Sequence, residues 1–198
     1  MSMHPQVAKL GDLINASIQR GAATDGRGKF GGVFKVTCYG PDGKLKWEDE
    51  FHNLVVNEGL QDLNNKYFKG SNYTAAWYLG LVLGPAANTT YTATDTLASH
   101  GASGSGGWTE YTDYSGNRKA VTFGTPTLAD PSVISNSASP SVFAITGSGG
   151  TISGAFLASV ATGTSGILFS EGDFTGGDKI VSSGDTLNVT YTFNADAA

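Results

Sequence analysis

The sequence predicts a mainly β fold: an antiparallel β-sandwich or jelly-roll-like domain with one or two short helices, preceded by an N-terminal helical arm. Three observations carry that expectation. Leu187, Val189, Tyr191 and Phe193 alternate with Asn188, Thr190 and Thr192, the period of a strand with one buried face. Similar short runs recur through the C-terminal half, each closed by Gly, Ser, Thr, Asn or Asp. Charged residues make up only 15% of the 198-residue chain, against roughly 25% in an ordinary soluble domain. Turn-forming Gly, Ser, Thr and Asn fill the difference.

The elements follow in order. Residues 5–20 are predicted as an amphipathic helix, because Val7, Leu10, Ile14 and Ile18 share one helical face and Pro5 stands near the start. With the link Gly21–Gly28 they form an arm, 1–28, ahead of a β-domain, 29–198. Phe30–Tyr39 and Lys44–Val56 form a hairpin around Gly40-Pro41-Asp42-Gly43, where Pro presets φ and Gly admits positive φ. Leu45, Trp47 and Phe51 are expected on one face of the returning strand, with Lys46, Glu48 and Glu50 on the other. Asn57 is expected to cap a helix reaching about Phe68, with Leu60, Leu63 and Tyr67 as its apolar stripe and Gly70 at its end. The run from Ala75 to Leu83 is apolar on both faces and predicts an inner strand. A capped turn, Asp95–His100, and a glycine/serine loop precede further strands near 108–114, 119–124, 132–137, 141–146, 151–159, 165–170 and 186–193. Such spacing without intervening helices favours a sandwich or barrel.

Composition excludes several classes of function. The net charge is -5, and nucleic-acid binding needs a clustered basic face. No run reaches the roughly 18 apolar residues of a membrane span, and no signal peptide opens the chain. The lone Cys38 alternates with Phe34 and Val36 and is expected as a small buried hydrophobe, not a reactive thiol.

Catalytic chemistry finds few candidates. His4, His52 and His100 sit in no nucleophile elbow or metal-binding pair. His52 is expected on the polar face of its strand, and His100 at the end of a helical turn. Gly26 to Gly31 spells G-x-G-x-x-G, but with a helix before it and a strand after, the reverse of the dinucleotide-binding order. Glu48-Asp49-Glu50 is split by alternation across two strand faces, a solvated strand or a guarded edge. Asp173, Asp178 and Asp185 lie in glycine-rich turns without EF-hand spacing. No cofactor, metal or catalytic residue is assigned. Trp77 and Trp108 are expected as core residues. An aromatic platform of Trp108, Tyr111 and Tyr114, beside Tyr73, Trp77 and Tyr78, is the alternative.

Several phrases carry a resemblance. They are Gly43-Lys44-Leu45-Lys46-Trp47 leading to Asn53-Leu54-Val55-Val56-Asn57-Glu58-Gly59-Leu60, then Ala76-Trp77-Tyr78-Leu79-Gly80-Leu81, Asp95-Thr96-Leu97-Ala98-Ser99-His100 and Gly107-Trp108-Thr109-Glu110. Ile152-Ser153-Gly154-Ala155-Phe156-Leu157 and Ser183-Gly184-Asp185-Thr186-Leu187-Asn188-Val189-Thr190 complete the set. In this order they resemble a family of small structural proteins of tailed bacteriophages. The resemblance implies a non-enzymatic virion component: a decoration or cement protein on the capsid exterior, made in the host cytoplasm. Its expected partners are the major capsid protein and further copies of itself. The arm residues Val7, Leu10, Ile14 and Ile18 are candidate partner contacts. The alternative function is a tail-associated or receptor-binding module that recognises host surface glycan through Trp108, Tyr111 and Tyr114.

Overall fold

The structure, a computed structural model, describes residues 29–71, 76–85, 90–100 and 107–196. The arm with its stripe Val7, Leu10, Ile14 and Ile18, the first three residues of the G-x-G-x-x-G run, Tyr73 and the loop 101–106 lie outside the described residues. The described residues form a β-sandwich of two antiparallel sheets with one short helix.

Sheet A is nucleated by the predicted hairpin, β1 (Lys29–Tyr39) and β2 (Leu45–His52). Gly43 takes φ 75° in the turn, which a side chain would resist. Strand β1 also pairs along its whole length with the last strand, β12 (Thr186–Asp196). Two short strands, β7 (Ser132–Ser135) and β8 (Ser141–Ala144), share the other edge of β12. A bulge between Cys38 and Tyr39 shifts the β1–β2 register. Leu45 falls beyond it and is exposed, so it leaves the face it was expected to share with Trp47 and Phe51.

At Asn53 the chain changes sheets. The single long return strand predicted over 44–56 is therefore two: β2 in sheet A and β3 (Leu54–Val55), which pairs in sheet B with β10 (Leu168–Asp173). Sheet B continues through β9 (Gly150–Ala158) to β4 (Tyr78–Leu83), with β5 (Glu110–Tyr111), β6 (Lys119–Ala120) and β11 (Lys179–Val181) on its margins. Strand β4 is the inner strand its sequence predicts. It pairs with β9 on one side and with β5 and β6 on the other.

Between the sheets lies the main core, built on Phe34, Val36, Cys38, Leu79, Leu81, Phe143, Leu187, Val189 and Tyr191. Cys38 is buried as expected, and burial pushes its thiol up to about 11. A second core, Val56, Val82, Leu97, Trp108, Phe156, Ala158 and Leu168, covers the outer face of sheet B. Gly80 is required there, because a Cβ would meet the Phe156 ring 2.2 Å away.

The helix α1 (Asn57–Tyr67) follows β3. Its N-cap is Val56, with no side-chain cap, and Asn57 is already helical. The expected Asn57 cap is replaced by tertiary bonds: the Asn57 amide donates to Ala93 O (2.8 Å) and the Val56 amide to Phe169 O (3.2 Å). Glu58 Oε2 accepts from the amides of Leu97 (3.1 Å) and Leu168 (2.7 Å), joining the helix to two other segments.

Candidate functional site

Two places concentrate chemistry. The first is sealed in the outer core. Strand β10 carries a bulge opposite Leu157, so Phe169 and Ser170 both face the main core while Leu168 and Glu171 both face outward. The bulge re-aims Glu171. Its carboxyl is fully buried, and Trp108 Nε1–H donates to Oε2 at 2.6 Å. Burial, with the Asp95 carboxylate beside it, pushes Glu171 up to about 9, so it is a neutral acid near pH 7.

Asp95 is held below the usual carboxylate range. Burial works against this and is outweighed by the Thr92 hydroxyl (2.5 Å), the Glu171 carboxyl, the Thr92 amide (2.8 Å) and His100. His100 Nε2 lies 3.4 Å from Asp95 Oδ2, and its ring rests on Trp108 with centroids 5.0 Å apart. His100 ends the turn as expected, with Nδ1 3.2 Å from Thr96 O, and is also buried against the outer core. Opposite, Arg118 clasps Glu110 through two bonds (2.9 and 2.7 Å), donates to Val160 O (3.1 Å) and lies over the Phe156 ring. An acid pair and an imidazole converge here, but on each other and on indole, with the guanidinium at the far flank. The arrangement stores a proton and ties β10, the 90–100 segment and Trp108 together.

The second place is open. Between the sheets, under the last turns of α1, lies an apolar groove of about 420 Å³. It is lined by Trp77, Phe123, Ile134, Phe169, Tyr191 and Phe193 and, from α1, by Asp62, Leu63, Lys66 and Tyr67. Trp77 meets Phe169 edge-on at 5.2 Å, and Phe169 meets Phe193 at 5.5 Å. The buried Tyr191 hydroxyl accepts from Asn53 Nδ2 (2.9 Å) and Ser170 Oγ (3.0 Å). One hydroxyl thereby links sheet A, sheet B and the crossover, and burial raises its pKa further above the ordinary phenol value.

The aromatics considered as a platform are elsewhere. Trp108, Tyr111 and Tyr114 are 3%, 2% and 6% exposed. Trp108 anchors the outer core, as its first reading expects, while Tyr111 and Tyr114, candidates only as partner contacts, are corrected to residues of the main core. Each has a large apolar body whose burial is favoured, between the sheets for the tyrosines and on the outer face of sheet B for Trp108. The acidic run differs as well. Asp49 is buried, and its carboxylate accepts from the amides of Thr175 (3.2 Å) and Gly176 (3.1 Å) and pairs with Lys179 at 2.8 Å. Glu48 and Glu50 stay exposed, as alternation requires.

Asp185 is engaged by Lys46 at 2.5 Å and by the Ser182 amide. Among the described residues no group of three His, Cys, Asp or Glu side chains is placed to hold a metal ion. No described helix is long and apolar enough to cross a membrane. No family model, curated protein or solved structure matches the chain.

Proposed function

We propose that this chain is a structural component of a tailed-phage virion, a non-enzymatic decoration or cement protein that lies on the capsid exterior. There it bridges subunits of the major capsid protein and neighbouring copies of itself. The observation that carries this reading is the double core. Sheet B is covered by apolar side chains on both faces. The two sheets are also cross-tied by Asn53–Tyr191–Ser170 and by Asp49 against Thr175, Gly176 and Lys179. Such a body resists shear, which a component loaded by pressure from within a shell needs.

The phrases that resemble the phage family are the ones that build this frame. Asn53–Leu60 makes the crossover and the start of α1, Tyr78–Leu81 makes β4, and Asp95–His100 with Gly107–Glu110 makes the sealed network. Ile152–Leu157 supplies the centre of β9 and Thr186–Thr190 the first half of β12. An acidic exterior component is also kept off the packaged genome by like charge, and repetition over a symmetric shell multiplies each weak contact. The ionisable groups that converge in the body are spent on internal ties. The loop aromatics of the glycan-binding alternative are core residues, so nothing specific favours it. Immunogold labelling of intact particles with antibody to this chain is expected to decorate the head exterior. Label confined to the tail, or absent from particles, overturns the proposal.

A further inference from the structure

The Trp108 indole donates to Glu171 Oε2 at 2.6 Å, while Oε1 of the same carboxyl is buried and accepts from no described donor. An ionised Glu171 would carry charge on an oxygen without a donor, beside the Asp95 carboxylate. We propose that Glu171 is a proton latch on the cover of the outer core. With the proton in place, residues 90–100 and Trp108 stay closed over sheet B. Its loss releases them locally and uncovers Val82, Phe156 and Leu168 while both sheets stay folded. The inference is independent of the virion reading, since it needs nothing beyond the chain itself.

The cover is bonded chiefly to itself. The Thr92 amide donates to Asp95 Oδ2 (2.8 Å), the Asp95 amide to Thr92 O (3.0 Å) and the Ser99 amide to Thr96 O (3.1 Å). It is joined to the body through Ala93 O, which accepts from the Asn57 amide, through the Leu97 amide on Glu58 Oε2, and through Trp108 on Glu171. The sheet beneath is laddered on both flanks, β9 pairing with β10 on one side and with β4 on the other. A turn-built unit with few outward bonds opens at a lower free energy than the sheet that carries it.

The charges around Glu171 oppose a second negative one. From the cover come Asp95, held ionised, and His100, whose Nε2 is turned to Asp95 at 3.4 Å; Tyr91 packs on the same cluster. From α1 comes Glu58, occupied by the amides of Leu97 and Leu168. Glu110 is clasped by Arg118 at the far flank, and Asp173 follows two residues along β10. Residues 86–89 and 101–106 contain no ionisable side chain. The two basic groups of this set, His100 and Arg118, each already face an acid.

Closed, Glu171 titrates near 9; exposed by opening, it returns to its ordinary 4.5. Opening between those values releases one proton. Its equilibrium constant therefore rises about tenfold per pH unit and levels off near pH 9.

The test is hydrogen exchange, read by NMR on the full chain across that window, with and without sub-denaturing urea. The Trp108 indole N–H and the Leu97 amide are expected to exchange through an opening that urea does not promote. After correction for intrinsic rates, that opening should grow about tenfold per pH unit. Amides of β1 and β12 should exchange only through global unfolding, which urea does promote. Glu171→Gln should remove the pH slope at Trp108 and Leu97. Asp95→Asn, which relieves the neighbouring charge, should move the levelling-off to lower pH, and it reads the latch even where the Gln variant fails to fold. Urea-promoted exchange at Trp108 and Leu97, an unchanged slope in Glu171→Gln, or a levelling-off that Asp95→Asn leaves in place overturns the proposal.

Discussion

Sheet B separates two cores made of different materials. On its inner side the main core is aromatic and aliphatic and continuous across the sandwich: Phe34 meets Phe51 at 5.3 Å and Tyr191 at 4.9 Å, and Tyr114 meets Phe143 edge-on at 4.8 Å. On its outer side a smaller cluster around Phe156 and Trp108 is framed by charge, with Arg118–Glu110 at one flank and Glu171–Asp95–His100 at the other. The inner core rests on apolar area, which pH does not alter. The outer core depends on a carboxyl remaining protonated. Two faces of one sheet thus respond to different variables, and that difference can be measured.

Among single substitutions at one pH, the largest effect is expected from the inner side. Phe34→Ala should cost about 3–5 kcal/mol in urea unfolding, because a buried ring vanishes and rigid neighbours cannot close over the space. A cost below that of an outer-core truncation would reverse the ranking of the two cores.

Next comes pH. Glu171 titrates near 4.5 in the unfolded chain and near 9 when folded. Between those values the folded state keeps a proton that the unfolded state has released. Its stabilising contribution is therefore complete below about pH 4.5 and is lost as the pH climbs through about 9. Unfolding free energy should decline across that window by up to about 1.4 kcal/mol per pH unit, and Glu171→Gln should flatten the slope. An equal slope in both proteins removes Glu171 as its source.

Trp108→Phe keeps a ring in the outer core but deletes the indole donor, leaving Glu171 Oε2 without its bond. About 1–3 kcal/mol should be lost, with near-ultraviolet circular dichroism checking that the fold persists. At the small end, Lys35 and Glu48 pair at 3.0 Å on the open face of sheet A, both nearly half exposed. Lys35→Ala should leave the unfolding midpoint unmoved within error. A clear shift would mean that the outer face of sheet A is less solvated than it looks.

Legibility in the sequence followed the same division. Alternation in Phe34, Val36 and Cys38, and in Leu187, Val189 and Tyr191, placed these residues on the inner face because their strands are regular and one-sided. The doubly apolar run of β4 announced a strand with cover on both faces. What covers its second face was invisible, since Trp108, Asp95 and Glu171 are far apart in sequence and meet only in the fold. The bulge in β10 hid Glu171 further: strict alternation groups it with Phe169, whereas the extra residue turns it to the opposite side. The bulge at Cys38/Tyr39 did the same to Leu45. Strand β11 is three residues among glycines and aspartates, too short for a period to register. Asn57 has the chemistry of a cap, but Val56 occupies the position, and backbone acceptors on neighbouring segments replace it. The groove could not be read at all, because its walls come from α1, both sheets and the segments before β4 and around Phe123.

The pairing of β1 with β12 also constrains how the molecule is made. During synthesis the hairpin β1–β2 emerges early with one flank of backbone amides and carbonyls open, and it stays unmatched until the residues up to Asp196 have left the ribosome. Closure must then join stretches separated by nearly the whole chain, the slow kind of contact. While it waits, the bare flank is an invitation to another nascent chain. Expression at lower temperature, or alongside a holdase chaperone, should therefore improve the soluble yield more than any change to the finished surface.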